Sequence, residues 1–378
     1  MSTRKAATPR PTTPRRGVSR RGVVGGVVGG VAAVGAAGAA AAAIQQRRSV
    51  GRLRALAEAE PARFSALPAD RSGTVTASDG VPLYHEEVGP ADAPLTAVFV
   101  HGYTLTMGTW WFQRRDLRRR FGDDVRMVFY DQRSHGRSGR SESANSTIDQ
   151  LGRDLDDVVT TLVPRGPLVL LGHSMGGMTI MALADRRPDL FGADGRVRGV
   201  AFVSTSSGNL SKFTLGLPGV LARFQAPLLS FGTRLARWQA DNVERGRRIG
   251  KDVAWNFTQR LSFDTPDVDP ALVKFVNDMI SATRIEVVVD FLPALLGHDK
   301  AHALAVLADT DVEVVCGDHD VMLPLAHSRA IAEALPHARL TVVEGTGHMA
   351  LLEQPELVDE VLGGLIARSL RGATEVAS

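Results

Sequence analysis

Cysteine is almost absent from this chain: Cys316 is the only one in 378 residues. One thiol excludes an intrachain disulfide framework and any cysteine-rich metal site. Tyrosine is nearly as scarce, with Tyr84, Tyr103 and Tyr130 alone. Histidines and carboxylates do not cluster at metal-ligand spacing, so no metal and no cofactor is expected. Acidic residues are missing from residues 1–22, which hold seven basic ones: Arg4, Lys5, Arg10, Arg15, Arg16, Arg20 and Arg21. Without them the formal charge of +3 becomes −4, so the remainder is mildly acidic and carries no nucleic-acid footprint. With 44% hydrophobic and 22% charged residues, the composition is that of a globular protein with a full core.

The N-terminal region stands apart. Residues 1–22 are rich in Pro, Thr and Arg and are expected to be disordered. Residues 23–44, "VVGGVVGGVAAVGAAGAAAAAI", contain no charged or polar side chain. They are long enough to cross a bilayer as a helix, although Gly and Ala make them only weakly hydrophobic. The basic excess before them favours the N-terminus inside and the rest of the chain outside. "SRRGVV" at 19–24 resembles a twin-arginine export signal, and the Ala run offers A-x-A cleavage points. Gly26 and Gly30 form a G-x-x-x-G that could pair helices. The plainer alternative is a low-complexity tail. The expectation is membrane association through 23–44, by an anchor or an export signal. A basic linker, 45–72, follows.

From residue 74 the pattern changes. "TVTASDGVPLYHEEVG" (74–89) predicts a hairpin turning at Asp79-Gly80. The runs "TAVFVHG", "RMVFYDQ", "PLVLLGH", "RGVAFVS", "VEVVCGD" and "RLTVVEG" are short, apolar and closed by a Gly or polar residue. Such runs suit parallel strands buried on both faces. Helix candidates lie at 148–163, after the cap-like Ser146 and Thr147, and at 175–186 and 355–369. Alternation of this kind predicts an α/β fold with a mostly parallel sheet. Residues 206–306 interrupt it. A structureless loop of that length is implausible, so a helical cap inserted between 73–205 and 307–372 is expected.

Residues 168–179, "LVLLGHSMGGMT", hold a Gly-x-Ser-x-Gly around Ser174, flanked by Gly172 and Gly176. Alone it is equally a serine in a glycine turn. Its position in the chain adds meaning. Ser174 follows one apolar run, Asp320 follows "VEVVCGDH", and His348 follows "LTVVEGTG". A serine is a poor nucleophile until a base takes its proton, and a neutral histidine needs a carboxylate to fix its tautomer. Ser…Asp…His is the α/β-hydrolase order.

Four landmarks extend the match: "VHGYT" at 100–104, "DQRSHGRS" at 131–138, "GHSMGG", and "GDHDVMLP" with "GTGHMALLEQP". In these the chain resembles the α/β-hydrolase superfamily over about residues 74–370, in its capped serine esterase/lipase branch. That resemblance implies a nucleophile at Ser174, a base at His348 and an oxyanion hole from the backbone N–H groups of Tyr103 and Met175. His101 and Gly102 would shape the oxyanion loop, and "DQRSHGRSG" would be a structural turn capped by Asp131. "GDHDVMLP" contains both Asp318 and Asp320. The family pattern G-x-x-D-x-x-x-P maps onto Gly317, Asp320 and Pro324 and selects Asp320, leaving Asp318 as a loop acid. His173 and His135 are read as turn residues, and Trp110, Trp111 and Phe112 as core residues or pocket walls.

The resemblance also narrows the chemistry. Epoxide hydrolases and haloalkane dehalogenases of this superfamily use a carboxylate nucleophile, where this chain has Ser174, and the former resemble one another in cap tyrosines, which 206–306 lack. The expected activity is hydrolysis of a carboxylic ester through an acyl-enzyme. Apolar cap positions (Leu215, Leu217, Phe224, Leu228, Leu229, Phe231) suggest a hydrophobic or lipid-like acyl group. Cofactor-free C–C hydrolysis and perhydrolase or haloperoxidase chemistry would use the same triad. A non-catalytic binding protein on a hydrolase scaffold is the remaining alternative.

Overall fold

Eight strands form one sheet in the order β1-β2-β4-β3-β5-β6-β7-β8. They are β1 (Arg71–Thr76), β2 (Pro82–Val88), β3 (Leu95–Val100), β4 (Val125–Tyr130), β5 (Leu168–His173), β6 (Val197–Val203), β7 (Asp311–Gly317) and β8 (Arg339–Val343). The computed structural model describes residues 51–53, 55–58, 63–210, 251–264 and 267–377. Met1–Arg52 and Leu53–Ser378 are separate units, and the sheet belongs to the second.

The hairpin predicted at Asp79-Gly80 is present. β1 and β2 pair antiparallel, and Gly80 takes the positive φ of +88° that this turn requires. β2 also pairs antiparallel with β4, and every later pairing is parallel. β3, β4 and β5 are buried at every position, which is why their sequences read as unbroken apolar runs.

The helices are α1 (Trp111–Phe121), α2 (Ile148–Leu162), α3 (Met175–Arg186), α4 (Lys251–Ser262), α5 (Pro270–Ala282), α6 (Ile285–Leu296), α7 (Leu325–Ala334), α8 (Ala350–Glu353) and α9 (Pro355–Ala377). α2 begins where the cap signal lies, since the Thr147 side chain accepts from the Gln150 N–H. Alternate strand residues serve opposite faces. Val98, Val100, Leu168, Leu170, Val200 and Phe202 share one cluster with Leu155, Val158, Ile180 and Leu183 of α2 and α3. On the other face Phe99 meets Trp110 edge-on at 5.4 Å, and Gly199 lies against Leu365 of α9.

Strand order positions the site. β3 is followed by β4 on one side and lies beside β5 on the other, so the chain reverses direction across the sheet there. The loops leaving the carboxyl ends of β3 and β5 part at this switch point, where open α/β sheets place their ligands.

The expected membrane location is withdrawn: among the described residues no helix is long and apolar enough to cross a bilayer. The tract 23–44 itself lies outside the described residues, and its Gly and Ala carry little apolar surface for a bilayer core. Of the insertion, 211–250 also lies outside the described residues, including Leu215, Leu217, Phe224, Leu228, Leu229 and Phe231. The described remainder is helical, as α4, α5 and α6.

The turn after β4 is held by charge. Arg133 is fully buried and meets Asp154 of α2 through Nε and Nη2, both at 2.6 Å. Its Nη1 also reaches Asp79 of the β1–β2 turn at 2.7 Å. Removing one partner of such a pair strands a buried charge. Arg133→Met should therefore lower unfolding stability by about 3–5 kcal/mol, read as an earlier midpoint in urea denaturation.

Candidate active site

Ser174 stands between β5 and α3 with φ +53° and ψ −119°. A non-glycine residue takes that backbone only under constraint. The constraint is visible on both sides. The Ser174 N–H donates to the Val203 carbonyl at 2.9 Å, and the Ser174 carbonyl accepts from Thr205 Oγ1 at 2.6 Å. At the second residue of α3, a methyl on Gly176 would lie 2.1 Å from the Val100 carbonyl oxygen. A Cβ on Gly172 would lie 2.6 Å from the Gly176–Gly177 backbone. Only glycine lets α3 start this near the sheet.

The loop after β3 lies against this elbow. A Cβ on Gly102 would come within 3.1 Å of Ser174 Cβ. His101 is fully buried and accepts the Gln132 N–H on Nε2 at 2.9 Å. An amide can only donate, so Nε2 carries no proton and Nδ1–H donates to the Gly102 carbonyl at 2.7 Å. Burial lowers the His101 pKa to about 4, keeping it neutral. Asp131 takes the Met107 N–H on one oxygen at 2.9 Å and the Arg137 N–H on the other at 2.8 Å. It thereby ties the turn 131–139 to the loop after β3. Tyr103 follows Gly102, and Met175 opens α3, where the first amides have no partner within the helix.

Asp320 and His348 come together on the loops after β7 and β8. His348 Nδ1 lies 2.7 Å from Asp320 Oδ2, with both residues buried. The other oxygen, Oδ1, accepts the N–H groups of Met322 and Leu323 at 2.9 and 2.8 Å. One carboxylate oxygen is thus fixed by backbone and the other is left for the imidazole. Asp318 points elsewhere and accepts the Thr346 N–H at 3.3 Å. The two loops can touch because a Cβ at Gly317 would strike the Thr346 and Gly347 carbonyl oxygens at 2.2 and 2.4 Å.

His173 departs from its reading as a turn residue. It is the last residue of β5, and its Nε2 lies 3.2 Å from the His348 carbonyl oxygen, with the rings 5.0 Å apart. It therefore links the elbow to the His348 loop. Burial and the neighbouring His348 push its pKa well below the usual imidazole value. His135 does lie in the turn after β4 and is held neutral by burial, at about 3. Trp110 is fully buried, while Trp111 and Phe112 meet Phe64 at 5.3 and 5.8 Å. Among the described residues no group of three His, Cys, Asp or Glu side chains could hold a metal. A polar surface cleft of about 570 Å³ between α2 and α3 is lined by Asp149, Arg153, Asp185 and Arg186, at the far end of α3 from Ser174.

Sequence reasoning missed Glu353. Its carboxylate accepts the Gly347 N–H at 2.8 Å and the Asp264 N–H at 3.1 Å, pinning the His348 loop to the end of α4. The signal was its place in "GTGHMALLEQP", five residues beyond His348. Thr205 was missed because its bond to Ser174 spans 31 residues.

The alpha/beta hydrolase family model matches residues 97–361. The chain is 30% identical over 293 residues to a putative carbamate hydrolase, RutD, of Caulobacter sp. (strain K31), covering 76% of this chain and 94% of that one. It is 26% identical over 303 residues to a non-heme chloroperoxidase of Streptomyces lividans, covering 76% and 96%. Its fold is similar to that of a thermophilic esterase from Thermogutta terrifontis, with TM-score 0.60, 22% identity and coverage of 79% and 99%.

Burial raises the Glu353 pKa from 4.5 to about 7, with Asp264 and Asp320 adding to the shift against the two amides. The folded state then binds more protons than the unfolded one between these values, so stability falls as pH rises from about 4.5 through about 7. Asp359, raised to about 7 chiefly by burial, acts in the same direction. Glu353→Gln should flatten that decline without abolishing it, as measured by chemical denaturation at a series of pH values.

Proposed function

The chain belongs to the alpha/beta hydrolase family, and from that premise we propose that it is a serine hydrolase cleaving carboxylic esters through an acyl-enzyme on Ser174. The observation that carries this reading is the buried 2.7 Å contact between Asp320 and His348, on loops at the same sheet end as the strained Ser174. With Nδ1–H donated to Asp320, the lone pair of His348 is on Nε2, the nitrogen a general base must use.

In the proposed reaction Nε2 takes the Ser174 hydroxyl proton as Oγ attacks the ester carbonyl. Asp320 stabilises the imidazolium so formed, and its orientation is fixed by the Met322 and Leu323 amides. The tetrahedral oxyanion accepts the N–H groups of Tyr103 and Met175, the latter favoured by the positive end of α3. Collapse expels the alcohol, which leaves with the proton from Nε2. Water then repeats the sequence on the acyl-enzyme and frees the acid. The cap would admit a hydrophobic or lipid-like acyl group.

One relative's name supports a second reading. The similarity to a non-heme chloroperoxidase favours hydrogen peroxide as an alternative acyl acceptor, giving a peracid on the same triad.

A fluorophosphonate probe should label wild type, and Ser174→Ala should abolish both labelling and turnover of p-nitrophenyl esters. Asp320→Asn should lower kcat by about 10⁴-fold. Wild-type protein that is folded yet unlabelled overturns the serine-hydrolase reading. Labelled protein that turns over no ester from acetate to palmitate, but forms peracid from acetate and peroxide, selects the second.

A further inference from the structure

The side chain of Tyr103 turns away from the elbow and into the cap. Its hydroxyl donates to the Val288 carbonyl of α6, 185 residues along the chain. The ring belongs to an apolar cluster with Met175 and Met178 of α3, Val287 and Phe291 of α6, and Leu323. Both residues assigned the oxyanion amides, Tyr103 and Met175, thus anchor their side chains under the same cap helix. Pro293 within α6 lacks the N–H that the Val289 carbonyl would accept, one residue beyond the carbonyl that Tyr103 meets.

A second bond closes the clasp. Thr283, at the junction of α5 and α6, donates its hydroxyl to the Thr104 carbonyl at 3.0 Å. Thr104 has φ +61°, a conformation that a β-branched residue holds only under constraint. The strained residue and its neighbour Tyr103 are therefore gripped from the cap at two successive positions.

We propose that Tyr103 is a positioning residue whose hydroxyl ties the oxyanion loop to α6, so that seating of the cap sets the aim of the Tyr103 N–H. The inference rests on the serine-hydrolase reading above. Chemistry at Ser174 then depends on a bond made outside the reacting atoms, and its loss weakens the transition state more than substrate binding.

The test is the kinetics of fluorophosphonate labelling at Ser174, which needs no knowledge of the natural ester. Tyr103→Phe should lower the maximal labelling rate about ten- to a hundredfold while the half-saturating probe concentration stays within about threefold. Thr283→Val should move the same rate in the same direction, and it carries the test if Tyr103→Phe does not fold. An unchanged maximal rate in folded variants, or a change confined to half-saturation, overturns the proposal and leaves the serine-hydrolase reading standing. Unlabelled wild type overturns both.

Discussion

The start of α3 presses against the end of β3 so closely that a single methyl at Gly176 would lie 2.1 Å from the Val100 carbonyl oxygen. Much of the site depends on that approach. It puts Ser174 on a sharp turn at φ +53° and brings the elbow beside the loop that leaves β3. The parallel register does the rest. Val100 is level with Gly172, His173 with Val203, and Gly317 with Val343. Every loop that carries a candidate group therefore leaves the sheet from one edge, where a few residues of reach suffice to bring them together.

Burial decides the charge state of the groups around that edge. His101, His135 and His173 are fully enclosed and held neutral, so none competes with His348 for a proton in the ordinary pH range. Each is engaged by a backbone carbonyl instead. His101 bonds within the loop after β3, His135 within the turn after β4, and His173 reaches toward the His348 carbonyl. His348 differs in having a carboxylate as its Nδ1 partner. Of these four buried histidines only His348 is wired to a carboxylate as a base requires.

Legibility in the sequence followed the physics of each element. Buried parallel strands announce themselves as apolar runs, and those of β3 through β8 were placed to within a residue or two. The helix α1 was invisible because its buried face is Gln113, Arg114 and Leu117, which a search for apolar periodicity cannot see. Gln113 Nε2 donates to the Leu351 carbonyl and to Asp359, partners more than 200 residues distant. The choice between Asp318 and Asp320 needed a family pattern, since the two are neighbours in sequence. Structurally the two differ in their partners: the Met322 and Leu323 amides hold the Asp320 carboxylate, which meets His348, while Asp318 accepts the Thr346 N–H. The described part of the insertion is α4, α5 and α6, and its contacts with the loop after β3 span 179 and 185 residues. No local pattern encodes them.

Those distant contacts bear on how one fold hosts many reactions. Ser174, Asp320 and His348 sit on loops whose backbones the sheet holds. The loop after β3 is different, because it is shared. Asp131 and His101 hold it from the core, while Thr283 and Val288 hold it from the insertion. Segment 63–68 adds a further link: Phe64 stacks on Phe275 of α5 at 4.8 Å and meets Trp111 of α1 edge-on. Core and cap are thereby stitched along one line that ends beside Ser174. On the proposed reading, a substitution in the insertion would reach Ser174 through the loop after β3 without touching substrate, and so act on rate as well as on fit.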